Sequence, residues 1–295
     1  MKKLEDTLTA CRGRLLGLAY RMLGSHADAE DIVQDAYLRV SAREQSGIRD
    51  PEAFLFTTVT RLCLDQLKSA RARREVYVGP WLPEPVIDSE ILSPERATEL
   101  SDDLSFALLL TLEKLSAAER AAFILHDVFD TSFKQIAETL GKSEAACRQL
   151  AARARRAVKT ERPNEAAAPE LHRTLLTKFA EAVATGDTSR LRALLAADVV
   201  SYSDGGGRRV AALNPVVGAE KVARFFVGLF RKHKARGRQS RFHLATLNGL
   251  PGFVTYTDGE LDHTLSVDLK GERISRIYLV RNPEKLGAVG SLYGT

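Results

Sequence analysis

Between Ala145 and Thr160 the chain carries Arg148, Arg153, Arg155, Arg156 and Lys159 and no acid. Cations at that density on one helix suit duplex DNA, because each phosphate they neutralise releases condensed counterions. Arg61, Lys68, Arg71, Arg73 and Arg74, grouped around Asp65, form a second basic cluster of the kind that tracks a single-stranded backbone. The opposite polarity occurs at Glu30, Asp31, Gln34 and Asp35, and again from Glu84 to Asp103, where seven acids face Arg96 alone. Such surfaces do not approach DNA; they meet another partner or only water. A solvated helix face remains the plain alternative for each cluster, including the run Arg231, Lys232, Lys234, Arg236, Arg238 and Arg241. Acid–base chemistry is conceivable at Asp262, His263 and His243. No nucleophile or second carboxylate is visibly paired with them, so the Asp-His pair reads first as structural and no catalytic residue is assigned.

The elements that must position these groups follow from periodicity. Leu4, Leu8, Cys11, Leu15, Leu18 and Met22 share one helix face over residues 4–23, ended by Gly24. Ser25 with Asp28 starts a second helix with Ala29, Ile32, Val33, Ala36, Tyr37 and Val40 inward and its acids outward. Asp50-Pro51 opens a third, which carries Phe54, Leu55, Val59 and Leu62 inward and ends in the basic cluster. Residues 1–75 are therefore expected as a small helical domain. Pro80, Pro83, Pro85 and Pro94 make 76–103 a stiff acidic linker. Over 104–162, Ser132 with Gln135 caps a short helix, Gly141 turns the chain, and Ser143 caps a second helix. That helix buries Cys147, Leu150, Ala151, Ala154 and Val158 and turns Ala145, Arg148, Gln149, Ala152 and Arg156 outward, giving a helix-turn-helix. Ser143, Glu144, Arg148 and Gln149 lie at its N-terminus, where base edges are usually reached. Beyond a linker at 162–169, helical periodicity covers Leu171 to Val183 and 218–233. From Phe242, turns at Asn248-Gly249, Asp258-Gly259 and Lys270-Gly271 separate strands, so 170–295 reads as an α+β domain.

The 295 residues, 44% hydrophobic and 27% charged, suffice for two or three domains. A net charge of +5 and a pI near 9.1 fit a polyanionic partner without requiring one. Cys11, Cys63 and Cys147 lie far apart and form no metal or disulfide pattern. No apolar run has the length of a membrane span, and the acidic N-terminus is unlike a secretory signal, so a cytoplasmic protein is expected, with no membrane partner and no cofactor.

Residues 28–40 (DAEDIVQDAYLRV), 54–75 (FLFTTVTRLCLDQLKSARARRE) and the helix-turn-helix at 132–156 resemble regions two and four of extracytoplasmic-function sigma factors of the sigma-70 family. The likeness covers about the first 160 residues. It implies that the first domain melts and recognises the minus-ten element through Arg61, Asp65, Lys68, Arg71, Arg73 and Arg74, with a base-holding pocket in the loop 46–50. It further implies that Ser143, Glu144, Arg148, Gln149, Arg153, Arg155 and Arg156 serve the duplex minus-thirty-five element, and that Glu30, Asp31, Gln34 and Asp35 bind core RNA polymerase. Arg61 stands where many relatives have asparagine. The remainder resembles a SnoaL-like domain of the NTF2-like superfold. A subgroup with this fusion carries WLPEP, DGGGR and NP-acid-KL, here Trp81-Leu82-Pro83-Glu84-Pro85, Asp204-Gly205-Gly206-Gly207-Arg208 and Asn282-Pro283-Glu284-Lys285-Leu286, with Glu284 where aspartate is common. The resemblance implies that these motifs meet, with Trp81 as a buried anchor, and that the fused domain braces the DNA-binding modules and regulates them. It leaves open whether that domain holds an unknown small ligand. A ligand-responsive regulator working without polymerase and a SnoaL-type enzyme stand as the alternatives.

Overall fold

The computed structural model describes residues 2–41, 48, 50–87, 104–161 and 168–290. The chain divides into two compact units, one of residues 1–76 and 89–162, the other of 77–88 and 163–295.

In the first unit, α1 (Lys2–Leu23), α2 (His26–Ser41) and α3 (Pro51–Glu75) pack mutually. Leu15, Leu18, Met22, Ala29, Ala36, Leu55 and Val59 are fully buried, as the three- and four-residue spacing requires. Gly24, with φ +69°, stops α1. The Ser25 hydroxyl accepts from the Asp28 amide at 3.1 Å, and Asp50 accepts from the Ala53 amide at 3.0 Å. Next come α4 (Phe106–Lys114) and α5 (Ala117–Phe123), which runs on as a π-helical turn at Ile124–Val128. Then α6 (Phe133–Leu140) and α7 (Glu144–Glu161) form the helix-turn-helix. A reciprocal Ser132–Gln135 capping box starts α6, left-handed Gly141 closes it, and the Ser143 hydroxyl caps α7 through the Ala146 amide at 3.2 Å.

The second unit has α8 (Pro169–Thr185) and α9 (Thr188–Leu194), then β1 (Leu195–Asp204), β2 (Val216–Val217) and α10 (Ala219–Ala235). It is completed by β3 (Ser240–Leu247), β4 (Leu250–Thr257), β5 (Glu260–Lys270), β6 (Arg273–Val280), a 3-10 turn at Pro283–Lys285 and α11 (Gly287–Gly290). The sheet order is β2-β1-β6-β5-β4-β3, and β1 runs parallel to β6 while the other neighbours are antiparallel. Helices α8 to α10 pack on one face through Leu176, Phe179, Val222, Phe226, Val267 and Ile277. The turns expected at Asn248, Asp258 and Lys270-Gly271 are present, with Asn248 and Asp258 both at positive φ and followed by left-handed glycines.

Two expectations need correction. Sequence periodicity passes over α9 and β1, where a helix runs into a strand at Leu195 without an intervening turn signal. The stretch expected as linker from residue 76 is not free at its start. Leu82 and Val86 are fully buried, the Val86 amide donates to the Asn248 side chain at 3.1 Å, and Ile87 bridges to Leu247. Apolar side chains between the prolines thus dock the segment on the second unit, and the acidic remainder from 88 to 103 lies outside the described residues.

Candidate nucleic-acid interface and motif cluster

On α7 the buried stripe is Cys147, Leu150, Ala151, Ala154 and Val158, while Arg148, Gln149, Arg153, Arg155 and Arg156 are exposed. Their charges are not equally available. Arg153 Nε meets Glu119 at 2.7 Å and Arg155 Nε meets Asp127 at 2.5 Å, so both arginines brace α7 against α5 and its π-turn. Hydrogen bonds from Ser116 and the Arg153 guanidinium hold Glu119 below the usual carboxylate range. Arg148 pairs with Glu144 one turn back at 2.8 Å and lies over the Phe133 ring, which fixes it at the start of the helix. Arg156 reaches back to the Ala152 carbonyl. Ser143 is spent as a cap.

The acidic face of α2 is as expected: Glu30, Asp31, Gln34 and Asp35 all face solvent, joined by Leu38, an exposed apolar side chain.

On α3, Arg61, Asp65 and Lys68 are exposed, and Asp65 and Lys68 pair with each other at 2.7 Å. The side chains of Arg71, Arg73 and Arg74, and the loop of 46–50 apart from Ile48 and Asp50, lie outside the described residues. Arg61 is not held ready for a base. Its guanidinium donates to the carbonyls of Glu138, at 3.0 Å, and Thr139, at 3.3 Å, at the C-terminal end of α6. Arg120 on α5 makes the mirror-image contact, donating to the Met22 carbonyl at the end of α1 at 2.6 Å and to Glu113 at 2.9 Å. Each arginine satisfies orphan carbonyls at the negative end of a helix in the other half of the unit. Arg120 is almost fully buried, and burial lowers its pKa to about 10. Phe56 and Phe129 stack edge-on at 5.4 Å beside this junction, and Thr57 and Thr139 hydrogen-bond across it. Nothing in the sequence patterns pointed to these contacts.

In the second unit the motif segments converge. Asp204, fully buried at the end of β1, accepts from Tyr77 Oη at 2.6 Å, from the Leu82 amide at 2.8 Å and from Lys285 Nζ at 2.7 Å. Lys285 also donates to the Leu82 carbonyl, and its ammonium lies 4.2 Å from the centre of the Trp81 ring. The Asn282 amide group donates to Tyr77 Oη at 2.9 Å, and its side-chain oxygen caps the turn at Glu284. Arg208 pairs with Glu284 at 2.9 Å. The glycines of this motif are a steric requirement rather than a flexible turn: a Cβ on Gly205 would sit 2.2 Å from the Arg209 carbonyl oxygen, and one on Gly206 2.3 Å from Asn282 Nδ2. Burial and the Asp204 carboxylate push the Tyr77 phenol well above its ordinary pKa, so it stays a donor. Trp81 departs from expectation. It is only half-buried and packs flat under the Lys285 ammonium, and the fully buried anchors of its segment are Leu82 and Val86. Tyr77 was missed because it lies outside the five-residue motif.

Of the acid–base candidates, His243 is exposed on β3 and takes no part. Asp262 pairs with His263 Nδ1 at 2.8 Å and with Arg281 at 2.9 Å. Burial favours its neutral form, but these two partners outweigh it and hold the carboxyl far below its usual range. The basic run after α10 is solvent-facing except that Arg238 pairs with Asp258. Among the described residues no cluster of His, Cys, Asp and Glu could hold a metal, and no helix is long and apolar enough to cross a membrane.

Comparison with known proteins agrees with this geometry. The family model "Sigma-70 region 2" matches residues 8–73, and "Sigma-70, region 4" matches 105–158. The extracytoplasmic-function (ECF) RNA polymerase sigma factor SigJ of Mycobacterium tuberculosis is 38% identical over 94% of this chain and 91% of its own length. The probable ECF sigma factor SigI of the same species is 33% identical over 94% and 92%. The crystal structure of M. tuberculosis SigJ superposes with a TM-score of 0.75 at 36% identity, covering 96% of this chain and 98% of that one.

Proposed function

The chain belongs to the extracytoplasmic-function sigma factors, the subunits that direct RNA polymerase to promoters, and from that footing we propose how its surfaces divide the work. Residues 1–75 serve as the minus-ten module, 76–103 as the connecting segment, 104–162 as the minus-thirty-five module, and 170–295 as a SnoaL-like regulatory domain. The observation that carries this assignment is the outward face of α7, which presents Arg148, Gln149 and Arg156 from a rigidly capped helix-turn-helix. Arg148 and Gln149 read base edges, and Arg156 holds phosphate. The acid face of α2 with Leu38 at its centre docks on core polymerase, and α3 takes melted DNA.

The reciprocal arginine caps define a resting form. While Arg61 satisfies the end of α6 it cannot also hold a promoter base, so engagement with polymerase and DNA requires the two halves of the first unit to part. The regulatory domain acts by binding rather than turnover, since Asp262 is already committed to Arg281 and His263. The protein works where polymerase works, in the cytoplasm. Run-off transcription with core polymerase over a promoter library tests the assignment. A template-specific transcript that depends on this chain is expected, and output no different from core alone overturns it. Removing the chain from Asn282 onward is expected to raise that transcription. Unchanged output would leave the domain as a passive stabiliser.

A further inference from the structure

The second unit encloses a cavity of about 390 Å3 between α8, α10 and the sheet, within the ~300–1,000 Å3 of small-molecule pockets. Most of its wall is apolar, supplied by Phe179, Phe226, Phe230, Phe253, Leu265 and Leu279. An interior of this composition ordinarily closes on itself, because a void forfeits dispersion contacts on every side that faces it. The cavity is also not uniformly apolar. Thr255 lies on its wall, is 1% exposed, and its hydroxyl has no hydrogen-bond partner. Buried polar groups are normally satisfied, so this hydroxyl is an unfilled position. Strand register places Thr255 opposite His263 on β5 and Phe242 on β3, and all three line the cavity.

The same wall defines what the occupant can be. His263 uses Nδ1 on Asp262, which leaves Nε2, and His233 uses Nε2 on the Ser240 hydroxyl. Arg281 gives one nitrogen to Asp262 and another to the Val210 carbonyl. The acid and the cation at this end therefore neutralise each other, and neither an anion nor a cation finds an unmatched counter-charge. What remains are the Thr255 hydroxyl and an imidazole nitrogen, facing aromatic rings. Burial keeps His233 below its usual pKa, in keeping with an uncharged site.

We propose that this cavity is a receptor site for an uncharged, largely hydrocarbon ring compound whose hydroxyl or carbonyl oxygen bonds Thr255 and His263. Its occupancy is transmitted through Arg281. The side chain of that residue lines the cavity, while its backbone amide donates to the Asp204 carbonyl at 2.7 Å, next to Asn282, whose amide donates to the same oxygen at 3.0 Å. A ligand that fixes the Arg281 side chain thereby tightens the junction of the DGGGR and NPEKL segments.

The test uses the full chain without polymerase or promoter, so it is independent of the sigma-factor reading. Titration calorimetry with 2-naphthol should give saturable binding, with naphthalene-2-sulfonate weaker by tenfold or more. Thr255→Val, which keeps the side-chain volume, should weaken 2-naphthol about tenfold, and Leu229→Trp, which fills the cavity, should abolish binding, both with unchanged circular dichroism. Hydrogen exchange over 204–210 and 281–286 should slow in the saturated protein. The proposal is overturned if 2-naphthol does not saturate, if the sulfonate binds as well, or if either variant with native circular dichroism binds like the parent. Unaltered exchange at both segments in the saturated protein overturns the coupling through Arg281.

Discussion

Asp204 and Lys285 offer the sharpest test of the motif cluster. The carboxylate is fully buried and the Lys285 side chain is 8% exposed, so neither charge can turn to water when its partner is lost. Lys285→Met would leave Asp204 with the Tyr77 hydroxyl and the Leu82 amide but no counter-charge. Asp204→Asn would keep the volume and leave the ammonium against the Leu82 carbonyl and two aromatic rings. Deleting one partner of a buried pair costs about 3–5 kcal/mol, most of it the stranded charge. The double variant strands nothing, so its cost should fall short of the sum by roughly 1–3 kcal/mol. Denaturant unfolding followed by the fluorescence of Trp81, the sole tryptophan, reports locally on this cluster. Costs that add within about 0.5 kcal/mol would refute the reasoning, because they would mean the two groups do not feel each other.

Three further outcomes follow from the surfaces. Replacing Arg148 and Gln149 by alanine should remove minus-thirty-five discrimination, at roughly 1–3 kcal/mol per good base contact, with polymerase binding intact. Equal loss on all promoters in gel-shift competition with the holoenzyme would reassign these residues to phosphate contact. Charge reversal at Asp31 and Asp35 should weaken pull-down of core polymerase without changing the melting of the protein, and an undiminished pull-down would make the α2 face merely solvated. Asp262 has a folded pKa below its unfolded one, so its stabilisation is present above about pH 4 and fades as pH falls through the folded value. The acid limb of a pH–stability curve should therefore flatten in Asp262→Asn; a curve parallel to the parent's would contradict the Arg281 and His263 pairing.

The sequence was most readable where burial follows a simple period. The inward faces of α1 to α3 and of α7, and the caps at Ser25, Asp50, Ser132 and Ser143, are local features, and local physics decides them. The strand β1 escaped notice because its burial breaks alternation after Leu195 and Ala196, at a shift of register against β6. The motif cluster was legible through resemblance alone, and even there the anchor was misjudged: in Trp81-Leu82-Pro83 the largest side chain is the obvious candidate, yet the ring lies outside the fully buried layer as a platform for Lys285. Arg61 and Arg120 show the other limit. Nothing about an arginine on a helix reveals that it will close the end of a different helix 77 or 98 residues away. The cavity is likewise assembled from segments that meet only in the folded sheet.

The segment containing Leu82 closes a chain separation of 122 residues to Asp204 and of 203 residues to Lys285. During synthesis, at roughly 5–20 residues per second, the ribosome releases this segment long before the lysine that seals it. For some tens of seconds the nascent protein has its polymerase-facing and promoter-facing helices but an unlocked second unit, with Leu82 and Val86 lacking their cover. If the second unit restrains the first, the restraint is acquired only when the NPEKL residues have been made. A message cut short before them would yield a sigma factor that had never been under control.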